Sequence, residues 1–311
     1  MSSLCAALAV LALGASACGR IGFDPIARAA ADGGAPPADA TPTDDAPRTE
    51  DAAVMPPCPF GEPEPIAGLA SPDYEDGAWM SADLLTVVFG SIRAGGPGSI
   101  DLYVATRGSP DSPFMEASLL PGDVNTPAAA ERDPEIVGEL EMYFIRGGDF
   151  LHATRADPSS PWITTFGALP PLEGSNDACP SLTNDGLELF YSTERVDGGG
   201  GEDVWVTSRS ATTADFTGGH VAVGTAGQES CPSVTGDGLT LVYQSGSSLF
   251  ITTRRDRAAE LGPAAPVFST QPAGTVDQRP KISKDGRVLV FASTRGGGGN
   301  YDLWMATRCA P

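Results

Sequence analysis

Residues 277–308 read DQRPKISKDGRVLVFASTRGGGGNYDLWMATR, and the same pattern recurs along the chain. Two further clear copies occupy 177–209 and 229–254, and two weaker copies occupy 75–107 and 131–155. The last residue of each copy is an arginine: Arg107, Arg155, Arg209, Arg254 and Arg308. Successive closing arginines lie 48, 54, 45 and 54 residues apart, which is the length of one four-stranded propeller blade. The repeat therefore predicts five blades.

Each copy contains three strand candidates. In the three clear copies an Asp-Gly pair follows the first strand, and its glycine supplies the positive φ that a tight hairpin requires. An apolar run such as VLVFAS (288–293) predicts the second strand, and DLWMATR (302–308) predicts the third. A poorer fourth strand lies in each linker between copies. The sequence thus predicts an all-β protein, a five-bladed β-propeller.

The last blade lacks an outer strand of its own, because only three residues follow Arg308. The segment 58–69 begins with the same proline and aromatic residue as the linkers. We therefore expect this N-terminal segment to complete the last blade. That pairing brings Cys58 to Cys309, where a disulfide would close the ring.

Two further cysteines occupy equivalent places in neighbouring copies. Cys179 and Cys231 each stand just before Pro-Ser, on strands that should meet near the central channel. A second disulfide is one interpretation; two buried free thiols or a metal pair are the others. Metal is disfavoured because the chain has no Cys-x-x-Cys and only two histidines, His152 and His220. We expect no metal and no cofactor.

The N-terminus has the features of an export signal. Its apolar stretch from Leu4 to Leu13 suits a signal peptide and is too short to span a bilayer. The following Ala-Ser-Ala-Cys resembles the bacterial lipobox, which implies a lipoprotein signal at 1–17 and lipidation of Cys18. An ordinary cleaved signal is the alternative. Either way the protein is expected to be exported.

Residues 18–57 are dominated by Ala, Asp, Pro, Thr and Gly. Such a segment cannot bury enough apolar surface to offset its ordering entropy, so it predicts a disordered tether ahead of a folded domain at 58–311. The protein would then be anchored by lipid to a bacterial envelope membrane, on its periplasmic or cell-surface side.

The formal net charge of −21 excludes several partners. Nucleic-acid binding needs clustered basic residues, and so does a polybasic attachment to a membrane surface. The tether carries three arginines and seven acids, so −17 of the −21 belongs to the propeller. We expect a monomer that contacts the membrane only through its lipid and binds an envelope protein or glycan.

The repeat resembles the WD40-like (PD40) repeat of the TolB-type β-propellers. The last copy carries the pattern on Pro280, Asp285, Gly286, Ser293, Arg295, Asp302, Leu303, Trp304 and Arg308. The first two copies depart from it, with Ala78 in place of the proline and Glu139-Leu140 in place of Asp-Gly. Domains of this type usually have six blades, which makes six the alternative to five. The resemblance implies a periplasmic or cell-surface interaction module and no particular chemistry.

An acidic residue precedes the innermost strand of every copy. The column consists of Glu75, Glu131, Asp177, Glu229 and Asp277. These carboxylates could ring one mouth of the channel and bind a cation or a basic or polyhydroxylated ligand. They could equally cap turns or hold the neighbouring blade. The repeat arginines and the loop aspartates are expected to form Arg–Asp pairs that tie strands or blades together. The arginines are the five closing residues together with Arg93, Arg146, Arg195 and Arg295, and the loop aspartates are Asp101, Asp149, Asp203 and Asp302.

The sequence contains no motif for nucleophilic catalysis, so we assign no catalytic residue. Two functional classes remain open. The first is a non-enzymatic envelope lipoprotein that binds a protein or glycan partner. The second is a five-bladed glycoside hydrolase, which would need two or three acids of the column to converge at one channel mouth.

Overall fold

A computed structural model describes residues 58–165, 177–195 and 197–309. Within these ranges the chain forms twenty strands in five four-stranded antiparallel sheets, which confirms the five-bladed β-propeller. None of the described residues belongs to a helix that could cross a membrane. The predicted signal peptide, the tether and Cys18 lie outside the described residues.

The strands are numbered in chain order. Within each blade they are given from the innermost strand, which lies at the channel, to the outermost. Blade 1 consists of β2 (Glu75–Met80), β3 (Thr86–Ser91), β4 (Asp101–Thr106) and β5 (Ser118–Leu119). Blade 2 consists of β6 (Glu131–Val137), β7 (Glu141–Arg146), β8 (Asp149–Thr154) and β9 (Ile163–Thr165). Blade 3 consists of β10 (Ala178–Leu182), β11 (Glu188–Thr193), β12 (Asp203–Ser208) and β13 (Thr217–Val223). Blade 4 consists of β14 (Glu229–Val234), β15 (Thr240–Ser245), β16 (Ser248–Thr253) and β17 (Ala265–Pro266). Blade 5 consists of β18 (Asp277–Ile282), β19 (Val288–Ser293), β20 (Asp302–Thr307) and the N-terminal strand β1 (Glu64–Pro65).

The ring closes where the sequence predicted. Strand β1 pairs antiparallel with β20, so that Pro65 lies opposite Trp304. The Cys58–Cys309 disulfide joins the two ends of the described domain across 251 residues of chain. The N-terminal segment also supplies Phe60, whose ring lies 4.9 Å below the Arg308 guanidinium. In this respect it substitutes for the linkers after blades 1, 2 and 3, which supply Phe114, Trp162 and Phe216 to their closing arginines.

Five hydrophobic clusters lie between the blades, and each draws residues from two neighbours. The cluster between blades 5 and 1, for example, packs Val290 and Leu303 against Phe89. The second strand of every blade places a buried aromatic ring at its fourth residue: Phe89, Phe144, Tyr191, Tyr243 and Phe291. Burial of these side chains is the largest stabilising contribution available to such a fold, because burial of one large apolar side chain is worth about 1.5–3 kcal/mol.

All five innermost strands contain a β-bulge at the same place. The residue in the bulge has a left-handed backbone in each blade: Gly77, Asp133, Cys179, Cys231 and Arg279, with φ between 47° and 55°. A bulge re-aims its side chain, and non-glycine residues tolerate this backbone only where surrounding structure holds them in it. The bulges therefore bring five residues to one level of the channel.

The closing arginines hold the hairpin between the first two strands of their own blades. The Nε–H group of Arg107 donates to the Leu84 carbonyl at 2.7 Å, and that of Arg209 donates to the Gly186 carbonyl at 2.7 Å. Arg155, Arg254 and Arg308 make the equivalent bond. These arginines were expected to pair with the loop aspartates, but each donates to a hairpin carbonyl instead, and Arg254 also forms an ion pair with Glu188 of blade 3 at 2.7 Å.

Replacement of both ring-closing cysteines, C58S/C309S, should lower the free energy of unfolding by about 5 kcal/mol, because the bridge restricts an unfolded loop of some 250 residues. Urea denaturation of the variant and the wild type measures this difference. A loss below about 1 kcal/mol would show that the β1–β20 pairing holds the ring without the bridge.

Candidate functional site: the central channel and its hairpin mouth

The predicted acid column is buried inside the blades and does not line an open mouth. Glu75 and Glu131 pair with arginines of their own blades, Arg93 and Arg146, each at 3.0 Å. Asp277 pairs with Arg295 in the same way, at 2.6 Å. These arginines were expected to bind the loop aspartates, so this part of the prediction is also wrong.

The other two acids of the column hold turns. Glu229 accepts hydrogen bonds from the backbone N–H and the hydroxyl of Thr225, both at 2.8 Å. Asp177 accepts one from Thr193. Burial raises the pKa of Asp177, as it does for Glu75 and Glu131. A role for the column in ligand binding stays a prediction.

Two of the loop aspartates, Asp101 and Asp203, cap their own glycine loops. Asp101 accepts a hydrogen bond from the Gly98 N–H at 3.0 Å, and Asp203 accepts one from the Gly199 N–H at 2.8 Å. A side chain at Gly98 or Gly199 would collide with backbone oxygen atoms at less than 3 Å. The glycine runs of the repeat therefore close a tight loop around a carboxylate.

At the level of the bulges, ionic and covalent links fill the channel. The Arg279 guanidinium of blade 5 lies 2.5 Å from the Asp133 carboxylate of blade 2 and 2.9 Å from the Asp76 carboxylate of blade 1. On the other side Cys179 and Cys231 form the second disulfide, between blades 3 and 4. The Arg279 Nη1 atom is 3.5 Å from the Cys179 Sγ atom. All five blades thus meet through one connected set of side chains, since Asp76 joins blade 1 to Arg279.

A second ionic group lies one level closer to the hairpins. The Glu135 carboxylate of blade 2 lies 3.1 Å from the Lys281 ammonium and 2.5 Å from the Lys284 ammonium, both of blade 5. Lys281 also donates to the Pro180 carbonyl of blade 3 at 2.7 Å. Blades that are not neighbours in the ring are therefore linked across the channel.

The pKa shifts follow from this burial and pairing. Burial alone would raise the pKa of Glu135, but Lys281 and Lys284 outweigh it and hold that pKa below 4.5. Burial raises the pKa of Asp76, although Arg279 opposes the shift. Burial lowers the pKa of Arg279, but Asp133 and Asp76 more than reverse this and raise it. Each buried charge in the channel therefore depends on the oppositely charged side chains beside it.

Hydrogen bonds join the inner strands and hairpins of blades 2 to 5 in sequence. The Val234 N–H donates to the Ser181 hydroxyl, and the Ile282 N–H donates to the Ser233 hydroxyl. The Leu182 N–H donates to the Glu135 carboxylate in the same way. The hairpin backbones continue the series. The Asn184 N–H donates to the Gly236 carbonyl, and the Gly236 N–H donates to the Lys284 carbonyl.

This series is interrupted at blade 1. Blade 1 has Trp79 at the position of Ser181 and Ser233, and an indole ring cannot accept such a bond. Blade 2 has a hairpin of three residues, 138–140, where the other four blades have five. Blade 1 thus lacks the acceptor, and the blade 2 hairpin is shortened.

A cavity of about 540 Å³ occupies this interruption, at the end of the channel where the hairpins lie. We call it the hairpin mouth. Its lining consists of Trp79, Met80, Ser81, Ala82, Asp83, Ile136, Val137, Gly138, Glu139, Thr183, Asn184, Ser283, Lys284 and Asp285. A second cavity of about 320 Å³ extends from Trp79 outward between blades 1 and 2, as far as Trp162 and Arg155. The size of the mouth falls in the usual range of ligand pockets.

Sequence reasoning missed the hairpin mouth, although a signal for it was present. The two weaker copies of the repeat are the two that form the interruption, and Glu139 stands at the departure from Asp-Gly in the second of them. Trp79 follows Ala78, the residue that replaces the repeat proline in the first. The departures therefore mark the asymmetric part of the ring.

The fold and the filled channel define the class: a five-bladed, disulfide-bonded β-propeller. No protein-family model matches the sequence, and a comparison with curated proteins finds no match either.

Among solved structures, an α-L-arabinofuranosidase from Podospora anserina, in complex with cellotriose, is similar over 82% of this chain and 98% of its own, with 12% identity and a TM-score of 0.54. An α-L-arabinofuranosidase from Lactobacillus brevis covers 79% of this chain and 92% of its own, with 13% identity and a TM-score of 0.52. The similarity to TolB from Acinetobacter baumannii covers 74% of this chain and 54% of the TolB chain, with 14% identity and a TM-score of 0.41. At such identities the first two similarities show the fold alone, and the third score is too low to carry an argument.

Substitution of the channel arginine, R279M, should lower the free energy of unfolding by about 3–5 kcal/mol, because Asp76 and Asp133 stay buried without a counter-charge. R255M is the matched control, since the Arg255 side chain is 83% exposed and its loss should cost less than about 0.5 kcal/mol. Equal effects of the two substitutions in urea denaturation would contradict the assigned role.

Low pH should lower the stability of the fold through protonation of Glu135. Its folded-state pKa lies below the ordinary 4.5, so its contribution is complete above about pH 4.5 and is lost as the pH falls through the folded value. Below pH 4.5 the stability of E135Q should therefore fall less steeply than that of the wild type, by up to about 1.4 kcal/mol per pH unit. E64Q, which removes an exposed carboxylate on β1, controls for the loss of one charge. Parallel curves for E135Q and wild type would refute the prediction.

Proposed function

We propose that this protein is a non-enzymatic binding module of a bacterial envelope, exported and anchored by lipid on Cys18, that works as a monomer. Its propeller presents the hairpin mouth to a protein or glycan partner. On this proposal it resembles the TolB-type propellers in role as well as in repeat pattern. The tether at 18–57 carries the propeller away from the membrane.

The observation that carries this proposal is the asymmetry of the hairpin face. Blades 2 to 5 are joined by matching hydrogen bonds, whereas the departures in blades 1 and 2 leave a cavity of about 540 Å³. Trp79 packs against the cluster between blades 1 and 2, but its indole cannot accept the hydrogen bond that continues the series in blades 2 to 5. Binding surfaces of propellers and other rigid scaffolds are built on such local departures.

The state of the carboxylates also favours binding over hydrolysis. A glycosidase needs an acid and a base or nucleophile that are free to act on the substrate. In the described part of the channel, Asp133 and Glu135 form ion pairs with Arg279, Lys281 and Lys284. These carboxylates contribute to the structure of the ring.

Export is supported by the two disulfides, because such bonds persist in oxidising compartments and are rare in the cytosol. Lipid anchoring rests on the lipobox-like sequence before Cys18. Labelling with a radioactive or alkyne-tagged fatty acid in the native host tests it, since a C18S variant should incorporate no label.

A crosslinked pull-down of the lipidated protein from its own envelope tests the binding role. We expect one stoichiometric partner, whose yield falls at least several-fold in W79A. The matched control is L249A, which removes a buried side chain away from the mouth and should leave the yield unchanged in whatever fraction folds. Turnover of arabino-oligosaccharides or other glycans by the purified protein, with no partner recovered, would overturn the proposal in favour of a glycoside hydrolase.

A further inference from the structure

The wall of the hairpin mouth contains more acidic than basic side chains. Asp83, Glu139 and Asp285 lie in its wall, and the one basic side chain there is Lys284. The Lys284 ammonium lies 2.5 Å from the buried Glu135 carboxylate, which it shares with Lys281, so these three side chains together carry one positive charge against the three carboxylates. The wall therefore faces the cavity with three carboxylates, and in the described residues none of them forms an ion pair across the mouth.

The three carboxylates are held differently. Asp83 accepts hydrogen bonds from the Ser81 hydroxyl and the Leu85 N–H, and these bonds lower its pKa. Asp285 accepts the equivalent bond from Ser283 in blade 5. Both carboxylates are held in place by hydrogen bonds within their own hairpins. The exposed Glu139 side chain makes no hydrogen bond in the described structure, and its charge opposes the burial that lowers the pKa of Arg155, so these two side chains interact electrostatically.

The mouth combines these charges with an aromatic wall. The half-buried Trp79 lines both the 540 Å³ cavity and the 320 Å³ extension, and Met80 and Ile136 continue the apolar surface. A tryptophan face attracts a cation, and the attraction reaches about 2 kcal/mol where water is excluded. The stem of a long basic side chain packs on the same apolar surface.

We propose that the hairpin mouth binds an arginine or lysine side chain presented by a protein partner. The cationic group lies among the carboxylates of Asp83, Glu139 and Asp285, and the stem packs against Trp79. The inference rests on the proposed binding function and selects a basic peptide segment over a glycan. The charge of −17 on the folded part would steer such a segment to the propeller.

Charge decides between the two classes of partner. Three carboxylates that face one cavity repel each other, and a bound cation relieves that repulsion, whereas a neutral sugar does not. Sugars do stack on tryptophan, and carboxylates do accept hydrogen bonds from sugar hydroxyls. A neutral oligosaccharide therefore belongs in the test as the competing ligand.

The experiment titrates the purified full chain with four probes by calorimetry: penta-arginine, pentalysine, pentaglutamate and the neutral sugar cellotriose. We expect the two basic peptides to bind and the other two probes not to bind. Binding of the basic peptides should weaken at least threefold between 20 and 200 mM salt, because exposed charges are screened over about 10 Å at 0.1 M.

Three variants locate the site. E139Q should weaken the binding of penta-arginine about two- to fivefold, since it removes one exposed charge and no hydrogen bond. W79A should weaken it at least tenfold. D83N should weaken it about as much as E139Q, whereas its matched control D237N should not. Asp237 makes the same two hairpin bonds in blade 4 but is not part of the cavity wall.

The outcomes separate this inference from the proposed function. Penta-arginine binding that is indifferent to E139Q and to D83N would overturn the inference, even if W79A fails to fold. Cellotriose binding that is lost in W79A would overturn it in favour of a glycan and leave the binding module standing. Absence of binding by all four probes, with a partner still recovered from the envelope, would overturn the inference alone. Hydrolysis of cellotriose would overturn the proposed function itself.

Discussion

The pairing of β1 with β20 is the interaction on which the other contacts depend. Without it blade 5 has three strands, and β20 exposes an unpaired edge. Each of the five hydrophobic clusters joins two neighbouring blades, so an open ring would leave two blades with one face uncovered. The Cys58–Cys309 bridge makes this closure covalent. Phe60 completes it by stacking on Arg308 as the linker aromatics do elsewhere.

A closed ring of five blades forces five inner strands together around a narrow axis. The bulges then bring one residue per blade to the same level, and two of these, Asp133 and Arg279, are ionised. Buried charges survive only when they are paired, so blades 1, 2 and 5 are specified relative to one another by complementary side chains. Repeats with identical side chains there could not distinguish one blade order from another. The side chains that fill the channel thus specify the order of the blades as well as stabilising the ring.

The same asymmetry explains the hairpin mouth and why it was harder to predict. The repeat pattern predicts what the copies share, and the departures at Ala78 and Glu139-Leu140 are visible in the sequence. Their consequence is not visible there. A cavity forms only because Trp79 cannot accept the hydrogen bond that Ser181 and Ser233 accept, and because the next hairpin is shorter. Cavity volume depends on how four hairpins approach each other across the ring.

The sequence by itself predicted five blades, the strand order, the N-terminal closure and the Cys58–Cys309 pair, because these follow from a periodic pattern and from where that pattern is incomplete. It left the Cys179–Cys231 pair open between a disulfide, free thiols and a metal pair, and the structure shows the disulfide. The tertiary structure alone decided which acid meets which base. Arg279 and Asp133 lie 146 residues apart and in blades that are not neighbours. The repeat also could not show that the acid column would be buried against Arg93, Arg146 and Arg295. Side-chain partners across a ring depend on distances that no local spacing encodes.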